Sequence, residues 1–131
     1  MSKSITLYGF NNCDTVKKSI KWLVANNISH EFYDFKKQPL TKELLTLFVQ
    51  LSDWNILLNK RSTTFRNLSD DIKNNLTDEI VFEQVLAQPT LLKRPLLLIQ
   101  TKNQPNLNDD SQQLYLGFKA DIYQNIFNNS I

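Results

Sequence analysis

Ser4-Ile5-Thr6-Leu7-Tyr8-Gly9-Phe10-Asn11-Asn12-Cys13-Asp14-Thr15-Val16-Lys17-Lys18 is the stretch that decides the fold class. Residues 4–8 read as a strand and 9–12 as a loop. Val16, Ile20, Leu23 and Val24 then fall at helical spacing. This predicts a helix over 14–26 that ends at Asn26-Asn27, because asparagine is the usual substitute for glycine in a left-handed cap. A second strand follows at 30–35 (His30-Glu31-Phe32-Tyr33-Asp34-Phe35), so a βαβ unit with parallel strands opens the chain.

From 41 to 88 the pattern is helical and contains no strand. Thr41, after Pro39-Leu40, is the N-cap of a helix with Leu44, Leu47, Phe48 and Leu51 as its apolar stripe. Residues 54–58 form a short helical piece. Ser69-Asp70-Asp71-Ile72 is a capped start, and Thr77-Asp78-Glu79-Ile80 begins a helix to Gln88 that Pro89 ends. The sheet resumes at Pro95-Leu96-Leu97-Leu98-Ile99, an apolar run typical of a buried strand. Residues 100–111 read as a polar, mobile loop, 113–116 as a last strand stopped by Gly117, and 119–127 as a helix carrying Ile122, Ile126 and Phe127. The order βαβ, helical insertion at about 41–88, ββα describes one α/β domain over residues 1–131.

The bulk properties narrow the function classes. Fifteen Lys/Arg are scattered among thirteen Asp/Glu, for a net charge of +2, so no basic stripe argues for nucleic acid. No apolar run approaches the roughly 20 residues that span a bilayer, and Met1-Ser2-Lys3-Ser4 leads into a strand without a signal-peptide core. A single cysteine cannot form an internal disulfide, which points to a reducing compartment. A cytoplasmic, monomeric chain without nucleic-acid or membrane partners is expected. His30 has no Cys or His partner at metal spacing, so neither a metal nor a bound cofactor is expected.

Cys13 carries the chemistry. A lone cysteine is most often a small buried hydrophobe. A thiol at a helix start, however, faces free backbone N–H groups and the positive end of the helix dipole, and both favour the thiolate. Redox chemistry at a single cysteine must take its second thiol from another molecule. Lys17, one turn on, either faces the thiolate or solvates the outer face with Lys18 and Lys21. Asn11 and Asn12 either offer donors to a bound anion or shape the loop and cap the helix. Asp14 either disfavours the thiolate as a neighbouring carboxylate or is simply a first-turn acid favoured by the dipole.

Four segments in order carry a family resemblance: Gly9-Phe10-Asn11-Asn12-Cys13-Asp14-Thr15-Val16-Lys17-Lys18, Asp34-Phe35-Lys36-Lys37-Gln38-Pro39-Leu40, Leu57-Leu58-Asn59-Lys60-Arg61-Ser62-Thr63-Thr64-Phe65 and Leu91-Leu92-Lys93-Arg94-Pro95-Leu96-Leu97. Together they closely resemble the arsenate reductase/Spx superfamily, and most of all its YffB-like branch, proposed to be glutathione-dependent thiol reductases. The resemblance covers about residues 4–127. It implies a thioredoxin-like core with a helical insertion, which the element order matches. It also implies that Cys13 is the nucleophile, Arg94 the active-site arginine, and Pro95 a cis-proline facing the cysteine.

Departures from the pattern separate the possible activities. The arsenate reductase branch has an arginine where Asn59 stands, with Arg61 two positions on. It has another where this chain reads Gly117-Phe118, with only Lys119 nearby. The residue six after Cys13 is Ser19, which excludes the Cys-x5-Arg loop of phosphatase-like arsenate reductases. The residue three after Cys13 is Val16, so the Cys-x-x-Cys switch typical of Spx-like regulators is absent.

The function expected is therefore a monothiol oxidoreductase. Cys13 would form a mixed disulfide or oxyanion adduct, and glutathione would serve as co-substrate, with glutaredoxin a further partner. Arg94 would be catalytic, with Arg61, Asn11, Asn12, Lys17 and Pro95 around the bound anion. The alternatives are an Spx-like regulator that binds RNA polymerase without catalysis, and a true arsenate reductase.

Overall fold

In the computed structural model the chain runs β1 (Ser2–Gly9), α1 (Asp14–Ala25), β2 (Glu31–Asp34), α2 (Lys42–Leu51), α3 (Trp54–Leu57), α4 (Thr63–Arg66), α5 (Asp70–Lys73), α6 (Asp78–Ala87), a 3-10 turn (Pro89–Leu91), β3 (Leu96–Lys102), β4 (Gln112–Leu116) and α7 (Ala120–Asn128). The structure describes residues 2–102 and 112–128. Most of the loop expected at 100–111, namely 103–111, lies outside the described residues. The described chain falls into two compact units. One comprises residues up to Lys37 and from Arg94 onward; the other is Gln38–Lys93.

The first unit has a thioredoxin-like arrangement. Its sheet has the order β2-β1-β3-β4. β1 pairs with β2 in parallel and with β3 antiparallel, and β3 pairs with β4 antiparallel. The parallel pair needs a crossover, and α1 supplies it. Leu96, Leu97, Leu98 and Ile99 are all buried, as a continuous apolar run in an inner strand requires. Leu7, Val16, Leu23, Leu97, Ile99 and Tyr123 form one core cluster, which joins the sheet to α1 and α7.

Several boundaries differ from the sequence reading, each for a physical reason. β3 continues through Lys102 and β4 starts at Gln112, so Gln100 belongs to the sheet and not to the loop. The pairing there is polar: the Gln100 side-chain amide donates to Gln112 Oε1 across the strands at 3.0 Å, a signal that hydrophobic alternation does not carry. Val24 is 62% exposed and Ser19 fully buried, so the inner face of α1 is Val16, Ser19 and Leu23. In α7 the buried residue is Tyr123, while Ile122 is 46% exposed. The two buried positions meet: Ser19 Oγ and Tyr123 Oη share a buried hydrogen bond of 2.8 Å, which satisfies both hydroxyls inside the core. Trp22, Phe118 and Phe127 pack around the Tyr123 ring at centroid distances of 5.5, 4.8 and 6.2 Å.

Asn26 and Asn27 do end α1. The Asn26 amide donates to Trp22 O and the Asn27 amide to Val24 O. Asn27 adopts φ 57°, the left-handed conformation expected for this cap. Gly117 ends β4 at φ 79°.

In the second unit every α-helix starts on a side-chain cap: Thr41, Asp53, Ser62, Ser69 and Thr77 each accept from the backbone amide three residues on. The core contains Leu45, Phe48, Leu57, Val81, Val85, Leu91 and Leu92, all buried. Leu58 and Leu92 form an isolated antiparallel bridge, flanked by Asn59 N to Leu91 O at 2.7 Å and Lys93 N to Leu57 O at 2.8 Å. The bridge ties the two ends of the helical run together. No helix among the described residues is long and apolar enough to cross a membrane.

The Ser19–Tyr123 pair gives a stability prediction. Burial pushes the Tyr123 phenol from 10.0 up to about 12, while the Ser19 hydrogen bond works the other way. Above pH 10 the unfolded chain gives up this proton while the folded chain keeps it. Stability that is complete below pH 10 is therefore lost as pH rises toward 12. Tyr123→Phe should cost about 1 kcal/mol at neutral pH through the lost hydrogen bond. It should also flatten the alkaline decline, to which Tyr8, also raised by burial, still contributes. Urea unfolding at neutral and alkaline pH measures both effects; a decline as steep as in the native chain would contradict the assignment.

Candidate active site around Cys13

Cys13 stands at the junction the sequence indicated. It is the N-cap of α1, with extended backbone (φ −90°, ψ 125°) and a side chain that makes no capping hydrogen bond. The thiol is free and half-buried. Its amide donates to Phe10 O at 3.2 Å, and its carbonyl accepts from Lys17 N at 3.0 Å. The first bond closes a turn over Asn11 and Asn12; the second begins the helix. Cys13 is thus held at both of its backbone groups, and its half-buried side chain packs against the core cluster of Leu7, Val16 and Leu23.

Gly9 explains why α1 starts here. A Cβ on Gly9 would lie 2.7 Å from Val16 Cγ2, closer than real Cβ contacts allow. The absent side chain lets the first turn of α1 settle on the end of β1. Gly9 O accepts from Phe35 N at 2.9 Å, which locks the end of β2 to the same point. Asp34, buried at 5% exposure, turns the chain away by accepting from Lys36 N at 3.0 Å.

Arg94 and Pro95 arrive from the neighbouring strand. Tyr8 pairs with Leu96 in the β1–β3 ladder, so the residues entering β3 lie beside those leaving β1. The Arg94–Pro95 bond is cis, as the resemblance implied. Pro95 is buried and its carbonyl accepts from Gly117 N at 2.8 Å. Arg94 is half-buried, with its Cζ 5.4 Å from the centroid of the Phe10 ring. Its Nε is buried and has no hydrogen-bond partner among the described residues.

The remaining expected residues take different places. Asn11 and Asn12 are exposed in the turn before Cys13, and Lys17 is exposed on α1. Arg61 belongs to the helical unit, is exposed, and donates its amide to Asn59 Oδ1 at 3.1 Å. Asn59 organises that turn, since its carbonyl also accepts from Ser62 N and Ser62 Oγ. Phe118, at the other position where an arginine was absent, packs edge-on against Tyr123. His30 is half-buried, with Nδ1 2.9 Å from Ile28 O. No group of three or more His, Cys, Asp or Glu among the described residues is placed to hold a metal ion.

Phe10 lies in the 9–12 loop of the motif, with nothing in its local sequence to mark a role. The available signal was the strand pairing: with β1 and β3 adjacent, the residue after Gly9 and the residue before Pro95 meet.

Residues 8–126 match the ArsC family. The chain belongs to that family. It is 41% identical over 109 residues to an uncharacterized protein of Haemophilus influenzae, covering 83% of this chain and 96% of that one. It is 27% identical over 114 residues to the global transcriptional regulator Spx of Lactiplantibacillus plantarum, covering 86% of each. Among solved structures it is similar to the YFFB protein, with a TM-score of 0.78 and 33% identity, covering 93% of this chain and 97% of that one. The arsenate reductase/Spx resemblance read from the motifs is thereby established for this ArsC-family chain, together with its thioredoxin-like fold.

The Gly9 contact is open to test. Gly9→Ala should lower stability by about 1–3 kcal/mol, the usual cost of overpacking. Gly9→Ala combined with Val16→Ala should lose less than the sum of the two single changes, because the second removes the clash. Urea unfolding of the three variants decides the point, and strict additivity would refute the contact.

Proposed function

We propose that this ArsC-family chain is a glutathione-dependent monothiol reductase, with Cys13 as nucleophile and Arg94 as the group that holds the anionic part of the substrate. One observation carries this: a free, half-buried thiol begins a 12-residue helix that its own side chain leaves uncapped. The backbone of Cys13 is fixed by two hydrogen bonds, so its sulfur can be presented to a substrate without further ordering.

The chemistry is thiol–disulfide exchange. The Cys13 thiolate attacks the glutathionyl sulfur of a mixed disulfide, R–S–S–G. A disulfide forms between Cys13 Sγ and the glutathionyl sulfur, the S–S bond of the substrate breaks, and the leaving thiolate R–S⁻ takes a proton from water. A second glutathione, as thiolate, attacks the glutathionyl sulfur of the adduct. Glutathione disulfide leaves and the Cys13 thiolate is regenerated. The net reaction is R–S–S–G + GSH → R–SH + G–S–S–G: the R sulfur returns to the thiol level and the incoming glutathione is oxidised to the disulfide level. Glutaredoxin is the other candidate to resolve the adduct. Glutathione carries carboxylates, which suit the planar donors of an arginine.

Two rival readings are weaker on specific residues. The likeness to Spx favours a regulator that docks on RNA polymerase. Here, though, the position of a second switch thiol is Val16, which is fully buried in the core. Arsenate reduction shares the nucleophile, but two positions that carry arginine in the arsenate pattern hold a turn-organising Asn59 and a packed Phe118.

Cys13→Ser should abolish both the glutathione adduct, detected by intact-protein mass spectrometry, and turnover of a glutathione mixed disulfide. Arg94→Ala should keep the fold and raise KM by roughly tenfold or more, as loss of a charge-assisted hydrogen bond implies. Undiminished turnover by Cys13→Ser would sink the mechanism. Retention of RNA polymerase in a pull-down, with no turnover, would favour the regulator.

A further inference from the structure

We propose that Phe10 is a positioning residue for Arg94, holding the guanidinium through the face of its ring so that the nitrogen donors stay available to an anionic substrate. The proposal rests on Arg94 being the anion-binding group. It adds to it the residue that keeps the arginine in place.

Phe10 has the necessary support on its other side. Its ring lies edge-on to Phe35 at 5.7 Å and 64°. Phe35 stacks on Tyr8 at 6.2 Å and meets Tyr33 edge-on at 5.7 Å. Tyr8 and Tyr33 are 5.1 Å apart. These residues end β1 and β2 or follow them directly, so Phe10 is one member of an aromatic cluster anchored in the sheet. Such contacts restrict the ring and give it a fixed face.

The way Arg94 is held matters for what it can bind. Among the described residues no carboxylate pairs with it, and its buried Nε lacks a hydrogen-bond partner. A carboxylate neighbour would neutralise the charge and occupy the in-plane N–H groups that a substrate needs. An aromatic face instead attracts the cation through the ring quadrupole and consumes no donor. The arrangement orders the guanidinium while keeping its charge and hydrogen bonds for the incoming anion.

Phe10 also ties this arginine to the nucleophile. Its ring meets Arg94, and its carbonyl accepts from Cys13 N at 3.2 Å. A single residue therefore sets both the thiol's backbone and the arginine's position. An anion seated on Arg94 is in this way referred to the sulfur it must present to Cys13.

The test uses two alkylating agents on Cys13 in the full chain, iodoacetate as the anion and iodoacetamide as its neutral counterpart. The ratio of their rates reads anion recruitment independently of enzymatic turnover. Phe10→Leu should lower the ratio roughly twofold to thirtyfold, the range that loss of a cation–π contact implies. Phe10→Tyr, which keeps the π face, should retain it. Replacing Phe10 with pentafluorophenylalanine preserves ring shape but removes the negative face; it should lower the ratio as leucine does, and it serves if the leucine variant does not fold. The same order should appear in KM for a glutathione mixed disulfide, with kcat much less affected.

An unchanged ratio in Phe10→Leu or the fluorinated variant, with Arg94→Ala lowering it, overturns the role of Phe10 and leaves that of Arg94 standing. Equal slowing toward both reagents also overturns it, since that would mark a role only in the Cys13 turn. An unchanged ratio in Arg94→Ala overturns the anion-binding role of Arg94, and this proposal with it.

Discussion

Val16 reaches so far over β1 that a Cβ on Gly9 would sit 2.7 Å from its Cγ2, and most of the site is placed by that approach. Packing at this density leaves no slack, because protein interiors tolerate displacements of only a few tenths of an ångström before neighbours must move. The start of α1, and with it the N-cap position of Cys13, is fixed by the depth of Val16. Gly9 also accepts from Phe35 N, so the end of β2 refers to the same residue. Arg94 and Pro95 enter through the β1–β3 ladder beside it. Three separate chain segments thus meet around one residue without a side chain.

The electrostatics of the site follow from what does not surround it. A cation partly withdrawn from water ordinarily takes an acidic partner. Among the described residues Arg94 has a phenyl ring instead, and its buried Nε has no hydrogen-bond partner. A buried donor without a partner carries a free-energy cost, and such exceptions concentrate where a ligand completes the set. The aromatic neighbours make the same region low in polarity, which strengthens any charge–charge contact formed there. Phe10 touches both neighbours, through its carbonyl to Cys13 N and through its ring to Arg94.

Much of this was legible in the chain itself. The thiol at a strand–helix junction, the Asn26-Asn27 stop, the Thr41, Ser69 and Thr77 starts and the continuous run at Leu96 all rest on local rules of period and capping, and local rules are what a sequence displays. The exceptions are all tertiary. Ser19 reads as polar surface on α1, yet it is buried because Tyr123, 104 positions later, meets its hydroxyl. Val24 and Ile122 look like core by period but are exposed, while Ser19 and Tyr123 hold the buried faces of their helices. Gln100 looks like loop, and its pairing with Gln112 makes it strand. Phe10 reads only as part of the 9–12 loop, because the ring it touches and the cation it covers come from other segments.

The chain contains fifteen asparagines, an unusual load for a protein rich in short helices. Asparagine lowers helix stability in interior positions but suits helix ends, where its short amide satisfies backbone groups and tolerates positive φ. Asn26, Asn67 and Asn74 are the C-caps of α1, α4 and α5, and Asn27 takes the left-handed position. Threonine, serine and aspartate hold the opposite ends of the helical unit. With so many boundaries set by short polar side chains at the ends, the lengths of the elements, and so the placement of the thiol, depend on a few capping residues more than on the helix interiors.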